Sequence, residues 1–233
     1  MPPQRFAPKI LYRSIRSFNG NKYTTISAAA EPPSITEESL SPGSGPVNHY
    51  DLSSFLDYAT RHKLDKKSTV FVGTHYEYTV QAAFKRLGMS LKRIGGRDDY
   101  GTDIIGTWSV PSAPHPLKIL IQCKAYAGKL NPAHARELEG AFVGAPMGWR
   151  ASNALGLLVS PNPASKGVRD AIGRTRWPMG FVLCSLDGKI LQMMWNRRAA
   201  EESLLGIECG IRYSIGNVKQ REIVLTWKGK SIH

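Results

Sequence analysis

Apolar residues recur at helical spacing in several parts of the chain. One stripe, with an apolar residue every three or four positions, predicts a helix from about Thr74 to Leu87, and Gly88 suits its C-terminal end. Asn131 followed by Pro132 is the pattern of an N-cap and a first helical residue. The helices that these patterns predict span residues 52–63, 74–87, 132–143 and 164–174.

Shorter apolar runs lie between the predicted helices and indicate strands. The run at residues 154–160 is mostly apolar, which is typical of a strand that is buried on both faces. Strands are predicted at residues 103–108, 118–124, 154–160, 181–186, 190–195, 211–215 and 222–227. Because helices and strands alternate through one region, we predict an α/β fold in which helices flank a mixed β-sheet.

The first 30 residues are basic and contain no carboxylate. Their apolar residues at positions 10, 11, 15 and 18 can share one helical face. This profile is typical of a mitochondrial transit peptide, and a disordered basic arm that binds DNA is the alternative. Residues 31–48 are rich in Pro, Ser and Gly and predict a flexible linker. We therefore expect a mitochondrial protein with a transit peptide at 1–30, a linker at 31–48 and a folded domain at 49–233.

The chain carries a formal net charge of +13, and the five basic residues of the first 30 account for only part of it. A basic protein favours a phosphate-bearing partner. No apolar run is long enough to predict a membrane span. The three cysteines form no CxxC pair, so neither a zinc knuckle nor a disulfide framework is indicated.

Two neighbouring strand segments carry candidate catalytic residues. Gln122 and Lys124 project to the same face of the strand predicted at 118–124, because strand side chains alternate. Asp103 opens the preceding strand after a glycine-rich turn. A carboxylate beside Gln122 and Lys124 could hold a hard cation next to a lysine. The alternative is that all three are ordinary turn and strand-end residues.

Glu77 lies on the helix predicted at 74–87, at the border of its apolar face. Thr74 and Glu77 also form a capping-box pattern, in which Glu77 would satisfy backbone donors at the helix start. Spacing alone leaves the capping role and a chemical role open.

Several segments, taken in order, resemble a known superfamily. The segments YEYTVQAAFKRLG, DDYGTDIIG and ILIQCKAY resemble the Mrr-type branch of the PD-(D/E)xK nucleases. The segments ARELEGAFVGA and ALGLLVSPNPASKGVRDAI continue this likeness, which spans about residues 73–172. With its mitochondrial leader, the whole chain is similar to the fungal mitochondrial family named for being required for respiratory growth, itself regarded as nuclease-like.

The resemblance implies a restriction-endonuclease-like core and a Mg²⁺- or Mn²⁺-dependent deoxyribonuclease. Asp103 matches the strand aspartate of the motif, Gln122 its second acidic position, Lys124 its lysine and Glu77 the acidic residue of the N-terminal helix. These four are the expected catalytic residues. Asp103, Gln122 and Glu77 are the expected metal ligands, with the backbone carbonyl of Cys123 as an alternative to the Gln122 oxygen. Gln122 replaces the usual carboxylate, which removes one negative charge and predicts weaker metal binding.

Basic residues flank the expected catalytic segments. They are expected to contact phosphates, although a solvated basic face is the alternative. This set comprises Lys92, Arg93, Arg97, Lys166, Arg169, Arg174 and Arg176. The expected partner is DNA, specifically mitochondrial DNA, and RNA is a second option. A dimer is one option for the oligomeric state.

Two other functions fit the same residues. One is an inactive nuclease fold that binds nucleic acid and supports mitochondrial gene expression, which Gln122 favours. The other is a structural partner of a mitochondrial assembly or of the ribosome, with which the basic surface is compatible.

Overall fold

A computed structural model describes residues 48–95, 101–125, 128–145, 149, 153–213 and 221–232. All of them belong to one unit, Ser41–His233. The predicted transit peptide, the predicted linker up to residue 47 and Arg97 lie outside the described residues. Within the described ranges, no helix has the length and apolar character needed to span a membrane.

Four α-helices and nine strands make up the described part of the chain. The α-helices are α1 (Leu52–Arg61), α2 (Thr69–Lys85), α3 (Pro132–Gly144) and α4 (Lys166–Arg174). The strands are β1 (Met89–Arg93), β2 (Ile104–Trp108), β3 (Leu117–Cys123), β4 (Ala154–Ser160), β5 (Met179–Cys184), β6 (Ile190–Trp195), β7 (Ile207–Tyr213), β8 (Arg221–Trp227) and β9 (Lys230–Ser231). A π-helical turn, Ala199–Ser203, lies between β6 and β7.

The first six strands form one mixed sheet in chain order. Strands β1, β2 and β3 pair antiparallel, β3, β4 and β5 pair parallel, and β6 returns antiparallel to β5. The two parallel pairs require crossovers, which α3 and α4 provide. The predicted α/β class, with a mixed sheet flanked by helices, is confirmed.

Side chains that alternate along the strands build a separate core on each face of this sheet. Ile104 and Leu157 belong to the core beneath α2, whereas the next residues, Ile105 and Leu158, belong to the core beneath α3 and α4. All seven residues of β4 are buried, which agrees with its apolar sequence. Helix α1 packs on α2 through a smaller cluster that includes Phe55.

Helix α2 begins at Thr69, five residues before the predicted start. Its N-cap is Ser68, whose side chain accepts a hydrogen bond from the Phe71 N–H (3.2 Å). Thr74 and Glu77 therefore lie inside the helix, and the capping-box interpretation of Glu77 is wrong. Gly88, at φ 76°, adopts the left-handed conformation that favours glycine just after a helix.

The periodic patterns missed two short strands and misplaced one. Strand β1 was not predicted, and it forms the edge of the main sheet. Strands β7, β8 and β9 form a second sheet, in which β7 begins four residues before its predicted start and β9 was not predicted.

Candidate active site

Asp103 lies directly before β2 and is held by the backbone on both sides. Its N–H donates to the Ile121 carbonyl (2.9 Å), and its carbonyl accepts from the N–H groups of Ile94 (2.8 Å) and Gly95 (2.9 Å). Its Oδ2 accepts a hydrogen bond of 2.6 Å from the N–H of Cys123. Cys123 stands between Gln122 and Lys124, so the aspartate and this strand segment meet as the sequence predicted.

Gln122 is 6% exposed, and its Oε1 accepts no hydrogen bond from any residue that the structure describes. A buried amide oxygen without a donor costs about 1–3 kcal/mol of folding free energy. Such an atom in a folded protein needs an explanation, and a bound ion is one possible explanation. Gln122 and Lys124 share a strand face, and Leu120, two residues earlier on that face, packs beneath α3.

Lys124 directly follows β3, and the end of β4 fixes its backbone. Its N–H donates to the Val159 carbonyl (2.8 Å), and its carbonyl accepts from the Ser160 hydroxyl (2.9 Å). Its Nζ lies 2.9 Å from a carboxylate oxygen of Glu137 on α3, with the two side chains 24% and 48% exposed. The hydrogen bond from Lys124 lowers the pKa of Glu137 below its ordinary value.

Glu77 forms an ion pair with Arg93 of β1, and both side chains are nearly buried, at 13% and 10% exposed. Arg93 also donates to the Thr74 hydroxyl (3.4 Å) and lies 5.5 Å from the centre of the Tyr78 ring. Because its guanidinium is engaged in this way, we remove Arg93 from the residues expected to contact phosphates.

The helix glutamate and the strand aspartate approach the same place. A Cβ added at Gly95 would lie 3.0 Å from Glu77 Oε2, and the N–H of Gly95 is bonded to the Asp103 carbonyl. Burial raises the pKa of the Cys123 thiol well above its ordinary value, and the charges of Asp103 and Glu77 raise it further, while Arg93 lowers it. Asp103 thus contacts the segment that carries Gln122 and Lys124, and the Glu77 carboxylate lies near the Gly95 backbone.

Among the described residues, few donors for a metal ion lie together. No group of three or more His, Cys, Asp and Glu residues in the described ranges is arranged to hold a metal ion. The Asp103 carboxylate and the orphaned Gln122 oxygen are the donors that suit a hard cation such as Mg²⁺ or Mn²⁺. Both oxygens are of the kind that a divalent ion prefers, and a site with so few donors would hold it weakly.

The sequence patterns did not indicate the roles of Glu137 and Arg93 in the site. Glu137 lies on a helix beside the buried Leu138, and its position along the chain says nothing about Lys124. The sequence indicates only that Arg93 is basic. Its contact with Glu77 depends on strand β1, which the periodic patterns did not predict. The alternation of Met89 and Leu91 was the signal for that strand.

The remaining basic residues lie on the surface. Lys92 is exposed on β1, Lys166, Arg169 and Arg174 on α4, and Arg176 just after α4. Arg174 lines a cavity of about 430 Å³ between α3 and α4, together with Arg136, Glu139 and Asp170. The predicted phosphate contacts of these residues stay predictions.

The chain is similar to fungal proteins with a shared description. Residues 68–115 and 112–207 match the family model described as "Required for respiratory growth protein 7". A mitochondrial protein of Schizosaccharomyces pombe is 29% identical over 157 residues, which are 66% of this chain and 62% of that protein. Required for respiratory growth protein 7, mitochondrial, of Zygosaccharomyces rouxii is 28% identical over 169 residues, covering 55% of this chain and 70% of the relative.

Two solved structures show a remote likeness. The structure of restriction endonuclease FokI has a TM-score of 0.38 and 16% identity, covering 60% of this chain and 30% of that one. The MspJI restriction endonuclease in complex with a 27-mer oligonucleotide has a TM-score of 0.32 and 14% identity, covering 65% of this chain and 32% of that one.

The relatives of S. pombe, Z. rouxii and Saccharomyces cerevisiae are all described as mitochondrial, and the expected mitochondrial location is confirmed. The family model spans residues 68–207, which is more than half of the chain. The chain therefore belongs to the family of required for respiratory growth protein 7.

Proposed function

We propose that this chain is a metal-dependent nuclease that hydrolyses phosphodiester bonds of DNA in mitochondria, in the maintenance of mitochondrial DNA. The observation that carries the proposal is the orphaned oxygen of the buried Gln122, which lies in the strand segment that contacts Asp103. A core position that keeps a polar oxygen without a donor is costly unless a ligand compensates for it. A divalent cation is the ligand that the neighbouring carboxylate favours.

Asp103 and Gln122 would hold the ion. When bound, Mg²⁺ or Mn²⁺ would supply a Lewis acid and make water a better nucleophile at neutral pH. Asp103 is suited to this task because four backbone hydrogen bonds, one of them to its carboxylate, fix its position. A fixed ligand does not have to be ordered when the ion binds.

Lys124 would act on the phosphate. Its ammonium group can orient the attacking water and offset the negative charge that develops on the phosphoryl oxygens. The backbone bonds to Val159 and Ser160 fix its Cα at the end of β3. Its pair with the half-exposed Glu137 is accessible to solvent, so a phosphate can compete for the ammonium group.

The test is cleavage of supercoiled plasmid DNA with and without Mn²⁺. We expect D103N and K124M each to lower the cleavage rate by about 10²–10³-fold, the loss typical of removing a group that stabilises transition-state charge. K118M is the matched control, since Lys118 lies at the other end of the same strand. Wild-type rates in both D103N and K124M would disprove the assigned centre.

A second candidate is a nucleic-acid-binding protein that retains the fold and has lost cleavage. The observation that favours it is the small donor set in the described part of the chain, with an amide at position 122 and Glu77 paired to Arg93. In the same assay, a plasmid that is retarded on a gel but never nicked, with Mg²⁺ or Mn²⁺ present, would support this function over hydrolysis.

A further inference from the structure

The ion pair of Glu77 and Arg93 differs from the other ion pairs of the described chain by its burial. Its side chains are 13% and 10% exposed, whereas in the ion pairs of Lys124, Lys189, Arg197, Arg198 and Arg212 at least one side chain is about half exposed or more. Burying a charge is costly, and breaking a buried pair by removing one partner typically destabilises a protein by about 3–5 kcal/mol. Separating the Glu77 carboxylate from the Arg93 guanidinium is therefore costly.

The surroundings hold Arg93 in this position. Met89 and Leu91 of β1 pack in the core beneath α2, so Arg93, two residues further, projects to the same face. There it contacts the Thr74 hydroxyl and the Tyr78 ring as well as Glu77. Three partners from one helix leave the guanidinium little freedom to move away.

This arrangement bears on how metal ions would bind. Glu77 Oε2 lies 3.0 Å from the position of a Cβ added at Gly95, whose N–H donates to the Asp103 carbonyl, so its carboxylate is near the backbone of the proposed metal ligand. A divalent ion at Glu77 would have to displace Arg93 or lie beside its positive charge. Both alternatives are unfavourable in a nearly buried place, where charge repulsion is weakly screened.

We propose that Arg93 is a built-in cation that removes Glu77 from the metal ligands, so that the centre binds a single divalent ion through Asp103 and Gln122. The inference rests on the metal site of the proposed function and specifies its stoichiometry. It makes Glu77 a positioning residue, which holds the Arg93 guanidinium against α2.

The test is a Mn²⁺ titration of the whole purified chain, in which free Mn²⁺ is followed by electron paramagnetic resonance. The wild type is expected to bind one ion. E77Q is expected to bind one ion with an affinity less than tenfold lower than that of the wild type, because Glu77 is not a ligand and only the uncompensated charge of Arg93 opposes the cation. R93M keeps the length of the side chain without its charge, and it is expected to bind Mn²⁺ about tenfold more tightly, because affinity rises with the number of available carboxylates.

Matched variants identify the cause. R93K, which keeps a positive charge, should bind like the wild type, and the double variant E77Q/R93M should lose the gain of R93M. Circular dichroism and thermal unfolding establish that each variant is folded. If R93M and E77Q do not fold, the stoichiometry of the wild type remains decisive, because a second bound Mn²⁺ would contradict the inference.

Three results would overturn the inference. A second ion on the wild type, or an affinity at least tenfold lower in E77Q, would make Glu77 a ligand. An unchanged affinity in a folded R93M would show that Arg93 does not block Glu77. In each case D103N should still abolish binding, which preserves the proposed centre. If the wild type binds no Mn²⁺ at all, the metal site and this inference both fail.

Discussion

At the scale of single residues, His134 gives the structure a measurable dependence on pH. It is the third residue of α3, where its Nδ1 accepts a hydrogen bond from the Asn131 N–H (3.3 Å). Burial lowers its pKa from the ordinary value of 6.5, the Lys124 charge lowers it further, and the Glu137 charge opposes this shift. Protonation therefore favours the unfolded chain, and stability is lost as the pH falls below about 6.5 towards the pKa of the folded state.

The variant H134Q isolates this contribution. Glutamine at the third helical position can still accept the hydrogen bond from the N-cap, but it does not titrate. Between pH 7.5 and pH 5, urea unfolding should show a smaller loss of stability in H134Q than in the wild type. The difference should stay below about 1.4 kcal/mol per pH unit, the limit for one proton. Parallel stability curves would contradict the assignment.

Glu137 is expected to position Lys124 for the proposed reaction. E137Q removes the charge that holds the ammonium group, so kcat for DNA cleavage should fall by about tenfold, a loss typical of supporting residues around an active site. Mn²⁺ affinity should not change, because Glu137 is outside the proposed metal ligands. The control is E139Q on the same helix, since Glu139 accepts its hydrogen bond from Thr175. Equal effects of the two substitutions would argue against the positioning role.

The sequence predicted which residues meet at the site better than it predicted how their charges pair. The meeting of Asp103 with the segment of Gln122 and Lys124 follows from the pairing of consecutive strands, which a local pattern can indicate. The pairs of Lys124 with Glu137 and of Arg93 with Glu77 depend on where a helix lies over the sheet. That placement is decided by packing of the two cores, which a local pattern does not specify.

At the scale of elements, one glycine of β4 and one of α3 offer a matched test, because only the first lies in a tight contact. Gly156 of β4 faces Phe142 of α3, and a Cβ added there would lie 2.6 Å from the ring. Since Phe142 is fully buried, the ring has little room to move. G156A should lower the free energy of unfolding by about 1–3 kcal/mol, the usual cost of overpacking a core.

Gly140 of α3 supplies the opposite expectation. A Cβ added there meets no atom within 4 Å. G140A should therefore stabilise the protein by up to about 1 kcal/mol, because alanine has the higher helix propensity. Guanidinium unfolding of both variants measures the two effects. A G156A variant as stable as the wild type would show that α3 can move away from β4.

Element boundaries could be predicted where a chemical signal marks them. Asn131 with Pro132 identified the start of α3 to the residue, and the apolar runs identified β4 and β6. The start of α2 was misplaced because its first turn exposes Val70, so the apolar stripe becomes regular only further along the helix. Strand β1 is five residues long and only one of its faces is buried in the core, which leaves a weak pattern.

At the scale of the whole molecule, the α/β class followed from the alternation of helical and strand periods, whereas the second sheet did not. Strand β7 is exposed at every residue except Ile207, so it lacks the alternation of buried and exposed residues by which a half-buried strand is recognised. Its partners β8 and β9 complete a small sheet, in which Ile223 and Leu225 of β8 join the core beneath α2. Such a sheet is specified by this docking and not by its own pattern.

The net charge of +13 should make binding of the protein to DNA depend on salt. If α4 and the residue after it contact phosphates, the logarithm of the DNA affinity should fall linearly with the logarithm of the salt concentration. The double variant K166A/R176A should reduce the magnitude of that slope by about two units, since each lost phosphate contact removes about 0.9. Lys166 and Arg176 are suitable because both are exposed, whereas Arg169 also donates to the Ala164 carbonyl and holds the start of α4.

The matched control is R197A/R198A, because these two arginines are already paired with Glu201 and Glu202. Their loss should leave the slope unchanged, since a paired guanidinium attracts fewer phosphates than an unpaired one. Fluorescence anisotropy of a labelled DNA duplex measures the affinity. Salt concentrations from about 50 to 200 mM are suitable, because several phosphate contacts change the affinity by orders of magnitude over this range. Equal slopes for the wild type and K166A/R176A would remove α4 from the interface. Affinity that does not depend on salt would instead favour a protein partner for this basic surface.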